Sequence, residues 1–194
     1  MNNYEYILAS LPVLQVDSKE RIDVAGLLEG IREHLDRKDR EALDFLLSGF
    51  EADNLNAGFY LKASRHGVRF IRSFFDFDRR LRNTKTAYLN RCLGRPEGTD
   101  VLLLLEDEDL DFEERPEAES VLEGSDILTR ERGLDELLWN KIDGITVMDV
   151  FDIDAILGFV AKLQIIARWL RLDEQSGREL FRRLINEIKD NYTI

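Results

Sequence analysis

Cysteine, proline and long apolar runs are scarce in this sequence, and each scarcity excludes a class of protein. Its 194 residues include one cysteine, Cys92, so a disulfide within the chain is impossible and a cysteine-based zinc site lacks ligands. The longest apolar run, Val101 to Leu105, is far below the roughly 18 residues of a membrane-spanning helix. The N-terminus lacks the positive start of a secretory signal. We therefore expect a cytoplasmic protein with no direct membrane span.

Motifs for catalysis are also missing, which indicates a protein that is not an enzyme. The sequence has no glycine-rich phosphate loop and no Gly-x-Ser-x-Gly nucleophile motif. Its two histidines, His34 and His66, fall on separate predicted elements, where structural roles are the favoured interpretation. Asp149, Asp152 and Asp154 precede a predicted helix, and Asp152 is best interpreted as its N-terminal cap. We expect no catalytic residue, no cofactor and no bound metal.

One acidic stretch has part of the spacing of a calcium-binding loop. Asp107, Asp109 and Asp111 match the first, third and fifth positions of an EF-hand. The match then fails, because Phe112 stands where glycine is required and Ala118 stands where a glutamate closes the site. A solvated acidic loop is therefore the favoured interpretation.

Charge is distributed unevenly along the chain, whose net charge is −12. An acidic protein is a poor binder of nucleic acid, so none is expected as a partner. Residues 62–95 nevertheless carry ten basic and two acidic side chains, whereas residues 106–119 carry nine acids and one arginine. The basic segment is interpreted as a solvated helix, a clasp for the acidic loop, or a docking face for an acidic partner. The predicted partner contacts are Arg72, Arg79, Arg80 and Arg82.

Apolar residues recur with the helical period through most of the chain, which predicts an all-α bundle of antiparallel helical hairpins. The first hairpin is expected from two helices, over 24–35 and about 39–50. A long helix or two abutting ones is expected over 68–94. The strongest pattern, about 152–172, predicts a central helix, and 177–189 predicts a separate last helix.

The least regular segment, 95–125, divides the chain into three predicted parts. They are an N-terminal helical part (1–94), an acidic connecting segment (95–125) and a C-terminal helical part (126–194), packed as one compact unit. Within the connection, Val101 to Leu105 is predicted as a helical turn. Because like charges repel, residues 106–119 are expected to form an exposed loop or a loose helix.

Two short stretches resemble known proteins. The opening, Tyr4-Glu5-Tyr6-Ile7-Leu8-Ala9-Ser10-Leu11-Pro12, resembles the start of a bacterial family known only as a domain of unknown function, whose members look like companions of the bacterial V-type (A-type) ATP synthase. Residues 152–185, with Leu163-Gln164-Ile165-Ile166-Ala167-Arg168-Trp169-Leu170-Arg171, resemble the late helices of the C-type stalk protein of these rotary ATPases, the counterpart of the eukaryotic d-type stalk protein. The C-type stalk protein is considerably longer and has three similar helical lobes, which 194 residues cannot hold.

The resemblance implies a non-catalytic helical adaptor that couples the membrane rotor ring to the central-shaft subunits of the soluble motor. It would place the chain in the cytoplasm, or peripherally on the inner membrane face through the ATPase complex. The alternative is a generic helical interaction or regulatory protein, including a homodimer; the oligomeric state is open. A carboxylate- and metal-dependent helical enzyme is the third hypothesis.

Overall fold

The computed structural model describes residues 4–16, 22–104 and 112–192, with the side chains of 173–192 left out of the description. Over these ranges the chain is all-α, as predicted, with one short 3-10 helix at Ala52–Asn54 and no strand. The predicted acidic positions 106–111, including Asp107, Asp109 and Asp111, lie outside the described residues. The α-helices are α1 (Tyr4–Ser10), α2 (Val24–His34), α3 (Arg37–Ser48), α4 (Ala57–Ser64), α5 (Arg69–Cys92), α6 (Arg115–Leu122), α7 (Ile127–Thr146) and α8 (Ile153–Tyr192).

The predicted first hairpin consists of α2 and α3. Each helix begins at an aspartate whose carboxylate accepts a hydrogen bond from an otherwise unpaired backbone N–H of the first turn. Asp23 accepts from Gly26 N at 2.9 Å, and Asp36 accepts from Asp39 N at 3.0 Å. Because Asp36 caps α3 one residue after Leu35, the C-terminal cap of α2, the joint between the helices is tight.

The main core is built around the N-terminal half of α5, where four apolar side chains lie on one side of the helix. Phe70, Ile71, Phe74 and Phe75 are all at most 2% exposed. Helix α5 packs against α4, α6, α7 and α8. Aromatic rings dominate this core, and the Phe75 ring meets the Phe59 ring edge to face at a centroid distance of 4.9 Å.

A second, smaller core forms where the sequence predicted an exposed acidic loop. Phe112 is buried, and Ala118 and Leu122 of α6 are buried with it against α5 and α7. Residues 112–122 therefore belong to the packed body, contrary to the expectation for 106–119. The physical reason is that Phe112, Ala118 and Leu122 share one side of this short segment, so its acids can remain on the other side.

Residues 101–104 are not helical, so the predicted helical turn is wrong at these positions. Side chains of α5 satisfy the backbone of Leu102 instead. Asn83 Nδ2 donates to Leu102 O at 2.8 Å, Leu102 N donates to Asn83 Oδ1 at 2.9 Å, and Arg79 Nη1 also donates to Leu102 O at 3.1 Å. With both backbone groups paired in this way, the segment has no need of helical hydrogen bonds.

Helix α8 is one continuous element of 40 residues, about 60 Å long at 1.5 Å per residue. The prediction of two helices separated before Gly177 is therefore wrong. A single glycine costs a helix only about 1 kcal/mol relative to alanine, and no proline lies between 153 and 192. The first half of α8 is the central buried helix that was predicted, with Ile156, Leu157 and Val160 fully buried.

Candidate partner-binding surface

The four arginines predicted to contact a partner all lie on α5, and each already has contacts within the chain. Arg72 Nη1 donates to His66 O at 2.5 Å, and Arg80 Nε donates to Asp76 Oδ2 at 3.0 Å. The side chain of Arg82 is 55% exposed and donates to both oxygens of Asp78.

Arg79 corrects the prediction, because its side chain is only 1% exposed. It donates to Leu102 O and to Asp76 Oδ1, both at 3.1 Å. A guanidinium buried in this way cannot contact a partner at the surface, although the sequence analysis placed it there. Its contact with Leu102 instead fastens the start of the connecting segment to α5, which is close to the clasp that was considered as an alternative.

An open groove of about 700 Å³ lies between α5, α6 and α7, and Arg80 lines it. We call it the Arg80 groove. Its apolar lining comes from Phe77, Phe112 and Ile145, and its charged lining includes the acidic and basic side chains of all three helices. Lys141 Nζ donates to Glu114 Oε1 at 2.9 Å and lies 5.0 Å from the centre of the Phe77 ring. Aromatic surface beside charges of both signs suits an extended protein segment with mixed side chains.

Other basic side chains of the 62–95 segment bind acids of the connecting segment and of α7. Arg91 forms ion pairs with Glu97 at 3.6 Å and with Glu119 at 3.1 Å. Lys85 forms an ion pair with Glu131. Part of the basic face is therefore used internally, which leaves the Arg80 groove as the part of the predicted surface best placed for a partner.

A small cavity of about 90 Å³ lies beside two buried carboxylates, Asp78 and Asp135. Tyr60 donates to Asp78 at 2.8 Å, and burial together with the negative charge of Asp78 raises the pKa of Tyr60. Burial also raises the pKa of Asp135, against the opposing effect of its ion pair with Arg168. Trp169 Nε1 donates to Asp135 at 2.6 Å. Each carboxylate is thus fully occupied in tying helices together, which is a structural role.

The three aspartates near the start of α8 do not converge, because each faces a different partner. Asp152 accepts from Ala155 N at 3.0 Å and is the helix cap that the sequence predicted. Asp154 accepts from Arg69 at 3.1 Å and from Phe70 N at 3.3 Å, and burial raises the pKa of Asp154. Asp149 is held by Arg69. Across the described ranges, no group of three or more potential ligands is arranged to hold a metal ion.

Both histidines have structural contacts. A ring nitrogen of His34 lies 2.8 Å from Gly30 O. His66 Nδ1 accepts from Val68 N at 3.1 Å, and the ring stacks on Phe45 at 5.1 Å. Burial and the nearby positive charge of Arg72 lower the pKa of His66, which favours the neutral ring that this contact needs.

An exposed apolar loop joins α7 to α8, and the sequence analysis did not identify it. Val147, Met148, Val150 and Phe151 are 54–84% exposed. Arg69 fixes the loop from below, donating to Ile145 O at 3.2 Å and binding Asp149 and Asp154. The available signal was four apolar residues between two predicted helices, at positions where no helical face could bury them.

Fold and surface together define a helical protein whose recognisable surface features are a charged aromatic groove and an apolar loop. No helix in the described part of the chain is long and apolar enough to cross a membrane. The chain belongs to the family described as "Protein of unknown function (DUF2764)", whose model matches residues 51–192. Tyr4 to Pro12, the opening stretch with the family resemblance, lies outside that match. Searches of curated proteins and of solved structures give no significant match.

Proposed function

We propose that this protein is a non-catalytic helical adaptor, an accessory or central-stalk component of a bacterial V-type ATPase that links the rotor to the soluble motor. The observation that carries the binding role is the Arg80 groove, which offers aromatic rings beside charges of both signs. Charged side chains around an aromatic contact surface fix the orientation of a partner, and the aromatic rings supply most of the binding energy.

The assignment to a rotary ATPase rests on resemblance, in Tyr4 to Pro12 and in residues 163–171. A mechanical role also fits the architecture. Helix α8 is about 60 Å long, and its first half is packed against α7 and the main core. A long helix anchored at one end in a packed core resists bending, as an element that transmits torque must.

Co-purification tests the proposal. The tagged chain is expressed in its own bacterium, the V-type ATPase is isolated through one of its own subunits, and the chain is quantified by mass spectrometry. We expect the chain in constant ratio to the enzyme. Intact ATPase that consistently lacks the chain contradicts the proposal.

A pair of variants then tests the Arg80 groove. Arg80→Ala removes a charge from the groove lining, whereas Arg37→Ala removes a charge that is 93% exposed on α3, outside that lining. Circular dichroism checks that both variants stay folded. We expect Arg80→Ala to reduce recovery with the ATPase at least tenfold and Arg37→Ala to leave recovery unchanged. Equal recovery of the two variants shows that the groove is not the contact.

A further inference from the structure

The apolar loop 147–151 lies beside a second, smaller groove on the same end of the molecule. This small groove has a volume of about 280 Å³. Two of its lining residues are Thr146, where α7 ends, and Ala155, in the first turn of α8. The loop therefore leaves and re-enters the body at the walls of the groove. Val13, which also lines the groove, is 91% exposed.

We propose that this end of the molecule is a homodimer interface, in which the apolar loop of each copy enters the small groove of the other. A two-fold interface needs a surface that is complementary to itself, and a projecting apolar loop beside an apolar groove satisfies that requirement. The sizes agree, because a cavity of about 150 Å³ accepts benzene and 280 Å³ therefore accepts a Met148 or Phe151 side chain.

The available area is also sufficient for a stable dimer. Val13, Val147, Met148, Val150 and Phe151 are between 54% and 91% exposed, which amounts to roughly 400 Å² of apolar surface per copy. Each loop covers a comparable area of the groove that receives it, so two copies bury about 1,600 Å² in total. That is the typical size of a specific protein–protein interface. An exposed apolar patch of several hundred Å² is itself characteristic of an interaction site.

Charge does not oppose this association locally, although the whole chain carries −12. The one charged residue between 147 and 151 is Asp149, and Arg69 of the same copy binds it. At the small groove, Lys162 is bound by Asp143. Contact between two copies therefore brings no unpaired charge into the interface. A lipid surface would instead favour clustered Lys and Arg, and the loop has neither.

Sedimentation equilibrium of the full chain and of two matched variants tests the proposal. Met148→Asp places a charge in the centre of the interface. Leu128→Asp makes the same change at another exposed apolar residue, about 27 Å away near the other end of α7. We expect a dimer whose dissociation constant rises at least tenfold in Met148→Asp and stays within twofold in Leu128→Asp. A monomeric wild-type chain, or equal dissociation constants in the two variants, overturns the proposal.

Cross-linking tests the reciprocal arrangement separately. In a Cys92→Ser background, chains carrying Val13→Cys are mixed with chains carrying Met148→Cys and oxidised. Because each loop enters the groove of the other copy, we expect a disulfide-linked dimer in the mixture well in excess of either variant alone. Equal or lower yield in the mixture overturns the reciprocal arrangement. The Arg80 groove is lined by Ile145 rather than Thr146, so these tests are independent of the proposed adaptor role.

Discussion

Gly49→Ala is expected to destabilise the protein strongly, because the glycine lies directly against the aromatic core. A Cβ atom at this position would lie 2.3 Å from Cζ and 2.4 Å from Cε1 of Phe75, and 2.8 Å from Cζ of Phe59. Both rings are buried, so neither can move aside without displacing the rest of the core. The backbone at Gly49 has φ of −77°, which any residue adopts, so the requirement for glycine here is one of space.

Overpacking of this kind costs about 1–3 kcal/mol. For a chain of this length each kcal/mol shifts the melting temperature by about 2–4 °C, so Gly49→Ala should lower it by several degrees. Gly30→Ala is the matched control, because a Cβ at this position within α2 meets nothing within 4 Å. The same substitution should stabilise the protein there by about 0.5–1 kcal/mol, through helix propensity alone.

Urea unfolding followed by circular dichroism measures both variants. The expected result is a midpoint that falls for Gly49→Ala and rises for Gly30→Ala, with similar dependence on urea concentration. If Gly49→Ala were as stable as the wild-type protein, the close packing of α3 against the Phe59 and Phe75 rings would be refuted.

Three further substitutions test individual contacts by the same urea unfolding measurement. Tyr60→Phe removes the buried hydrogen bond to Asp78 and should cost about 1–2 kcal/mol; an unchanged midpoint would argue against that bond. Gly94→Ala forces a side chain into the left-handed region, at φ of 65°, and should cost about 1 kcal/mol although no atom obstructs it; equal stability would contradict that backbone conformation. Asp135→Asn tests a pKa. Because burial raises the pKa of Asp135 in the folded state, the folded protein binds the extra proton, and this contribution to stability falls as pH rises from about 4 through the raised pKa. The variant should lose that component of the pH dependence, whereas parallel profiles would show that the pKa is not raised.

Local sequence signals were enough for the class of fold and for several helix boundaries. The 3.6-residue period of apolar residues identified α2, α3, α5, α7 and the first half of α8, because one buried stripe is all that such a helix requires. Asp126 and Asp152 were recognisable as caps, since a carboxylate before a helix satisfies N–H groups of its own first turn. These interactions join residues a few positions apart, so the sequence alone contains them.

The tertiary structure decided everything that depends on distant residues. The sequence pattern treated Arg79 as a surface arginine, yet it is buried because Leu102 supplies a carbonyl 23 positions away. Residues 112–122 looked too acidic to pack, yet α5 and α7 provide a surface for their few apolar side chains.

The surfaces proposed for binding divide in the same way. The sequence by itself determined that this chain is helical, acidic and rich in arginine along one helix. Only the folded structure placed Arg80 in a groove with Phe77 and Lys141, and only the fold left the loop 147–151 exposed beside a groove of suitable size. Composition and period report which residues can be buried, whereas a binding surface is formed by residues that folding brings together from separate helices or leaves uncovered.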